Sequence, residues 1–342
     1  MFLNRIFGRF NAYLNRKKGI KLYREKKYEE SLKFFNKAIN FKSTPELLNY
    51  KGYLLEKLEI FDKSLKTYNE SLVLEPNNKR VIASKARLLE LIGEYGDALN
   101  CYCDLFKLGC NDLFVYSKIG FLFKKSGNFS KAIKYFDKGL KLDSNDVWFL
   151  NEKSECYFIL KDYKKALNIV NKAYDLEPNN LTTLYNMGIL LFESHREKEA
   201  LKFFKKALEL DIENPILYSE IGKTYATLNN EEKASKYFKK ALFYINNELN
   251  KNDNRCDLLV EKSISLFYLG KRDEALDVIN KVLKMDPNYL NGIAYKAYYL
   301  KEMEEYEKSL FYYDKLLDLY NDEKFIKLRE EVLSLLENNK KN

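Results

Sequence analysis

A small residue recurs along this chain almost like a clock: Ser31, Ser64, Ala98, Ala132, Ala166, Ala200, Ala234, Ala275 and Ser309. The gaps are 33, then 34 five times, then 41, then 34. A fixed period in this range means that one supersecondary unit is repeated, too small to bury its apolar face alone, so that neighbours must stack. Twelve positions before each of these residues stands another small one: Gly19, Gly52, Ala86, Gly120, Ser154, Gly188, Gly222, Ser263 and Ala297. Such pairs predict two helices that cross closely, with large groups such as Phe123 and Phe136 filling the flanks.

Residues 113–146 show the plan of one repeat. Phe114, Ile119 and Phe123 carry the spacing of an amphipathic helix. Gly127 marks a turn, and a second helix follows with Ala132, Ile133, Phe136, Leu140 and Leu142 on its apolar face, ended by Asp143-Ser144-Asn145. Composition agrees: only 13 Gly and 5 Pro in 342 residues favour long helices over sheets with many turns, and every proline falls at a joint between repeats. Five cysteines, an odd number, suggest no disulfide framework and point to a reducing, cytoplasmic setting. No run approaches the ~18 apolar residues of a membrane span.

At this point the chain resembles the tetratricopeptide-repeat family, whose 34-residue unit is a helix-turn-helix. The resemblance is carried by the turns Gly93-Glu94-Tyr95 and Gly127-Asn128-Phe129, and by the aromatics Tyr68, Tyr102, Phe136, Phe204, Phe238 and Tyr313. It is carried also by the end signals Glu75-Pro76-Asn77-Asn78, Glu177-Pro178-Asn179-Asn180 and Asp286-Pro287-Asn288. It covers residues 12 to 323. The family pattern lapses at the turn tyrosine, which is Glu197, Glu231 and Arg272 in repeats six to eight. The resemblance implies an all-α, right-handed α-solenoid superhelix of nine helix-turn-helix repeats.

The expected organisation is an N-terminal amphipathic segment at 1–11, repeats at 12–44, 45–78, 79–112, 113–146, 147–180, 181–214 and 215–248, an insertion loop at 249–255, repeats at 256–289 and 290–323, and a capping helix and tail at 324–342. The seven extra residues of the 41-residue gap fall in or near Asn246–Asn254, as a longer loop or as an extension of the preceding helix. Phe2, Leu3, Ile6, Phe7 and Phe10 share one helical face of the N-terminal segment, for which three readings are open: a cap on repeat one, a helix lying on an anionic membrane, or an organelle-targeting segment.

The sequence offers no catalytic centre, cofactor site or metal site. His195 is the only histidine, and it sits at a turn. Cys101, Cys103 and Cys110 lack a fourth ligand, and a Cys-x-Cys pair on a helix diverges. The net charge of +9 is spread over 59 basic and 50 acidic residues, most of them solvated helix faces.

In the family the first helix of each repeat lines a concave groove that holds partner peptides. Carried over position by position, the partner groove would be Phe114, Phe121, Trp148, Phe158, Tyr185, Ile189, Phe192, Phe267 and Tyr268. Its basic end would be Arg16, Arg24, Lys57, Arg80 and Arg87. The carboxylate clamp by which related proteins hold chaperone C-terminal tails is not kept, because Arg16, Ile20, Tyr50, Arg80 and Ser84 lack both of its asparagines. RNA-reading repeats need recurrent polar readers, whereas Asn49, Ala83, Ser117, Asn151, Tyr185 and Ser219 vary. The expectation is a non-enzymatic interaction scaffold for a protein or peptide partner. The alternatives are a membrane-associated adaptor and, after it, an RNA-binding helical-repeat protein.

Overall fold

A computed structural model describes residues 2–320 and 323–339, and the side chains of residues 10–320 and 325–339. Among the described residues there are 19 helices and no strands. They form nine antiparallel hairpins. These are α1 (Phe2–Arg24) with α2 (Tyr28–Phe41), α3 (Pro45–Lys57) with α4 (Phe61–Leu74), and α5 (Lys79–Leu91) with α6 (Tyr95–Lys107). Next come α7 (Leu113–Lys125) with α8 (Phe129–Leu142), α9 (Val147–Ile159) with α10 (Tyr163–Leu176), and α11 (Leu181–Glu193) with α12 (Glu197–Leu210). Last are α13 (Pro215–Thr227) with α14 (Glu231–Leu249), α15 (Cys256–Tyr268) with α16 (Arg272–Met285), and α17 (Leu290–Glu302) with α18 (Tyr306–Leu319), followed by α19 (Glu323–Asn339). From α1 to α9 and from α11 to α19 each helix packs on the next, the arrangement of an all-α solenoid of tetratricopeptide repeats. The chain divides into two compact halves, Met1–Ile169 and Val170–Asn342.

The twelve-residue spacing is a physical lock. Ser31 Oγ donates to the Gly19 carbonyl at 2.8 Å, Ser64 Oγ to that of Gly52 at 2.7 Å, and Ser309 Oγ to that of Ala297 at 2.8 Å. Ser154 Oγ reaches the Ala166 carbonyl at 2.9 Å, the same contact with the serine on the other helix. Four residues beyond the clock residue, seven of the nine repeats place an aromatic ring between the two helices, with Val170 and Ile279 in that position in repeats five and eight. A Cβ added at Gly120 would stand 2.4 Å from Phe136, and one at Gly188 the same distance from Phe204. The small residues therefore admit a whole ring between the helices, and Phe35, Tyr68, Tyr102, Phe136, Phe204 and Phe238 are fully buried.

Every hairpin turns on one residue with left-handed backbone: Lys26, Glu59, Gly93, Gly127, Lys161, His195, Asn229, Gly270 and Glu304, with φ between 56° and 85°. The amide after it closes the turn by returning to a carbonyl of the first helix, as Asn128 does to Phe123 at 2.8 Å. Five first helices in succession, α5 to α13, are entered through a capping side chain: Asn78, Asp112, Asp146, Asn180 and Asn214 each accept an amide of the first turn. This is the chemistry behind the Asn- and Asp-rich joints. The seven extra residues near position 250 are shared: α14 has 19 residues where α12 and α16 have 14, and the remainder lengthens the joint before Cys256. At the other end α1 runs unbroken from Phe2 to Arg24, so the amphipathic segment and the first helix of repeat one are a single helix. No described helix is long and apolar enough to cross a membrane.

Candidate functional site

Because the buried stripe of each first helix is spent on the ring lock, the residues one turn around it set the character of the inner register. In the N-terminal half that register is laced from repeat to repeat by ion pairs. Arg16 of α1 pairs with Glu46 of α3. Arg87 of α5 reaches Glu56 of α3 at 3.0 Å, and Lys118 of α7 reaches Glu90 of α5 at 2.7 Å. Lys124 of α7 bridges Glu152 and Glu155 of α9 at 2.7 and 2.9 Å. Burial raises the Glu152 carboxyl above the usual carboxylate range, against the pull of Lys124. These carboxylates answer the basic end read from the sequence. Arg16 and Arg87 are neutralised, Arg87 and Lys57 lie over the Tyr53 ring at 4.8 and 5.3 Å, and Arg24 and Arg80 are exposed. An open hollow of about 640 Å³ on α1 is lined by Tyr13, Arg16, Lys17, Ile20, Lys21 and Arg24.

The aromatic positions of this half differ in what they touch. Phe114 is 54% exposed and edge-on to Tyr102 at 6.1 Å, whereas Trp148 is 43% exposed and wedged edge-on against Phe136 and Phe149 at 5.9 and 5.0 Å. Phe121 is half-buried with the ammonium groups of Lys124 and Lys125 over its ring at 5.9 and 5.7 Å. Phe158 is half-buried against Tyr163, across its own hairpin turn. In the C-terminal half, Tyr185, Ile189 and Phe192 form a half-buried stripe on one face of α11. Phe267 stacks on Tyr299 of the next repeat at 4.3 Å, so much of its face is used in packing, and Tyr268 stacks on Phe238 at 4.8 Å while 43% exposed.

Sequence reasoning missed a cluster in this half. Glu220 and Lys223 on α13 are joined at 2.6 Å, with side chains 8% and 18% exposed. Glu261 of α15 and Tyr295 of α17 stand within electrostatic reach of Lys223. Burial opposes the charge on Lys223, but the two carboxylates outweigh it and hold the ammonium well above the ordinary lysine value. Burial likewise raises the Glu220 carboxyl, and pushes the Tyr295 phenol up to about 12. A signal was present in the sequence, since Glu220, Glu261 and Tyr295 each stand five residues after the first residue of their helices.

Other expectations resolve one by one. His195 is at a turn, with its side chain 94% exposed. All five cysteines are free, and among the described residues no group of three His, Cys, Asp or Glu could hold a metal ion. Asn151 and Ser219, two of the positions an RNA reader would use, are buried. Phe10 is 57% exposed; the side chains of Phe2, Leu3, Ile6 and Phe7 lie outside the described residues.

Comparison with known proteins follows the same lines. One tetratricopeptide-repeat family model matches residues 147–213, and a second matches 115–146, 216–242 and 257–289. A tetratricopeptide repeat protein from Parabacteroides merdae has a similar fold, with TM-score 0.59 and 18% identity over 76% of this chain and 99% of that one. Yeast Tom70 matches 95% of this chain and 96% of its own at 16% identity with TM-score 0.42, and MamA matches 48% and 96% at 20% identity with TM-score 0.44. No curated protein matches by sequence. The lock between small residues twelve apart, the helix-on-helix stacking and the two family-model matches agree that the chain belongs to the tetratricopeptide-repeat family.

Proposed function

We propose that the chain is a non-catalytic interaction scaffold whose first helices hold an extended or helical segment of a protein partner. The observation that carries this reading is the half-buried aromatic and aliphatic row on those helices, Phe121 in the N-terminal half and Tyr185, Ile189 and Phe192 in the C-terminal half. Aromatic groups offer much contact area at low side-chain entropy, the usual material of binding hot spots. Membership of a repeat family that works as a binding surface supports the reading. The residues of each half are tested separately.

The experiment is affinity capture from the native cell with the unaltered chain, with Phe121→Glu and with Tyr185→Glu, followed by direct binding of peptides taken from any captured protein. Partners that bind the unaltered chain and are lost from a variant of unchanged helicity and Tm support the groove. Partners that bind all three chains equally would overturn it.

A further inference from the structure

The charge in the cluster around Lys223 does not balance. Its single ammonium faces two carboxylates, Glu220 on its own helix and Glu261 on α15, and Glu193 of α11 adds a further negative field at Glu220. Lys223 spends its close contact on Glu220. Glu261 Oε2 is buried with no hydrogen-bond partner, and so are the hydroxyls of Ser219 and Ser265, residues with no exposed surface at all. Ser219 stands one helical turn before Lys223, and Ser265 one turn after Glu261, so both hydroxyls share the helix faces that carry the cluster. A carboxylate oxygen left unpaired in a buried setting is unfavourable and is relieved by a donor. Solvent reaches the site, because Glu261 is half-buried and Tyr268, within electrostatic reach of Lys223 and Glu220, is 43% exposed.

We propose that this cluster is a receptor for a cationic side chain, arginine above all, of the partner segment. The inference rests on the groove reading above and gives it a chemistry. A guanidinium supplies several donors in a planar fork, which suits a carboxylate that the single ammonium leaves unmatched. The neighbouring Tyr268 and Tyr295 rings favour a cation as well. An anionic group would meet the same carboxylates and be repelled. A bare metal ion would have to settle beside an ammonium. In the N-terminal half the enclosed carboxylates meet a cation directly, Glu152 with Lys124 and Glu90 with Lys118, each at 2.7 Å.

The test uses the full chain and three fluorescein-labelled Gly-Ser heptapeptides with arginine, norleucine or glutamate at the centre, read by fluorescence anisotropy. Arginine should bind about tenfold more tightly than norleucine, and glutamate more weakly than both. Glu261→Gln should remove the arginine preference while Tm stays level or rises, because it deletes an uncompensated charge and leaves Lys223 on Glu220. Glu261→Asp, which keeps the charge, should keep part of the preference. Equal binding of the three peptides overturns the proposal. So does a Glu261→Gln variant that melts lower yet still prefers arginine, which is the behaviour of a purely structural network. If captured partners are lost from Tyr185→Glu but the peptides show no arginine preference, the groove stands and the cation receptor falls.

Discussion

At Gly120 a single methyl group would sit 2.4 Å from a carbon of the Phe136 ring, closer than any such contact can be. Gly120→Ala should therefore lower stability by about 1–3 kcal/mol, and Phe136→Leu in the same background should recover part of the loss. Thermal melts of the two variants decide this, and an unchanged Tm for Gly120→Ala would refute the lock. The pair was legible in the sequence because its spacing is fixed by the hairpin and repeats nine times. The left-handed turn residue was legible where it is glycine, and at His195 from its place in the repeat. Lys26, Glu59, Lys161, Asn229 and Glu304 take the same backbone shape at turns that the sequence did not single out. Residues with a Cβ strain there. Glu59→Gly and Lys161→Gly should each raise stability by about 0.5–1 kcal/mol, and Gly127→Ala should lower it. A series of urea titrations in which these signs are reversed would count against that account.

Among elements, the forces that join one first helix to the next are of a different kind from those within a hairpin. The N-terminal half uses ion pairs whose partners lie far apart in sequence: Arg87 and Glu56 are 31 residues apart, Lys118 and Glu90 are 28. Glu56, Glu90 and Lys124 stand at one position of the repeat, 34 residues apart, but the sign of the charge there changes along the chain, and so does that of the partners, which is why the basic end looked unopposed in the sequence. Lys124 is the most enclosed of these cations, so Lys124→Ala should cost about 1.5–3 kcal/mol by leaving Glu152 buried without its partner. Lys107→Ala, on an exposed pair with Asp104, should leave the melt unchanged. In the C-terminal half the acidic cluster adds a pH signature. The folded-state pKa of Glu220 lies above its ordinary value of 4.5, so the folded chain holds that proton more tightly than the unfolded chain does. Its ionisation thus leaves stability intact below pH 4.5 and erodes it as pH rises from there through the raised value. Relative to the native chain, Glu220→Gln should therefore gain in Tm between pH 4.5 and neutrality, and a difference that shrinks over this window would contradict the assignment.

For the molecule as a whole, contacts run from each helix to its neighbours, so stability behaves as a sum of local terms and a lesion should stay near its site. The last helix gives a direct test. Val332 of α19 is fully buried against the cluster of Ile293, Ala297, Tyr313 and Leu316. Val332→Asp should cost at least about 3 kcal/mol there. Hydrogen exchange followed by mass spectrometry should show faster exchange in α17 to α19 and no change in α3 to α8. Acceleration spread over the whole chain would mean that it unfolds as one cooperative unit.

The twelve-residue lock has a consequence for how such a chain is made. Ser64 and Gly52, with the ring of Tyr68 between their helices, close a hairpin using only residues within a few dozen positions of one another. A nascent chain need not wait for its far end: each hairpin can form as soon as its own second helix has emerged, because closing so short a loop is fast and loses little entropy. Growth would then proceed by docking one finished hairpin on the last, with few long unpaired stretches left to misassemble on the way. The insertion near position 250 fits that order of events, since it lengthens the passage between two hairpins and touches the lock of neither.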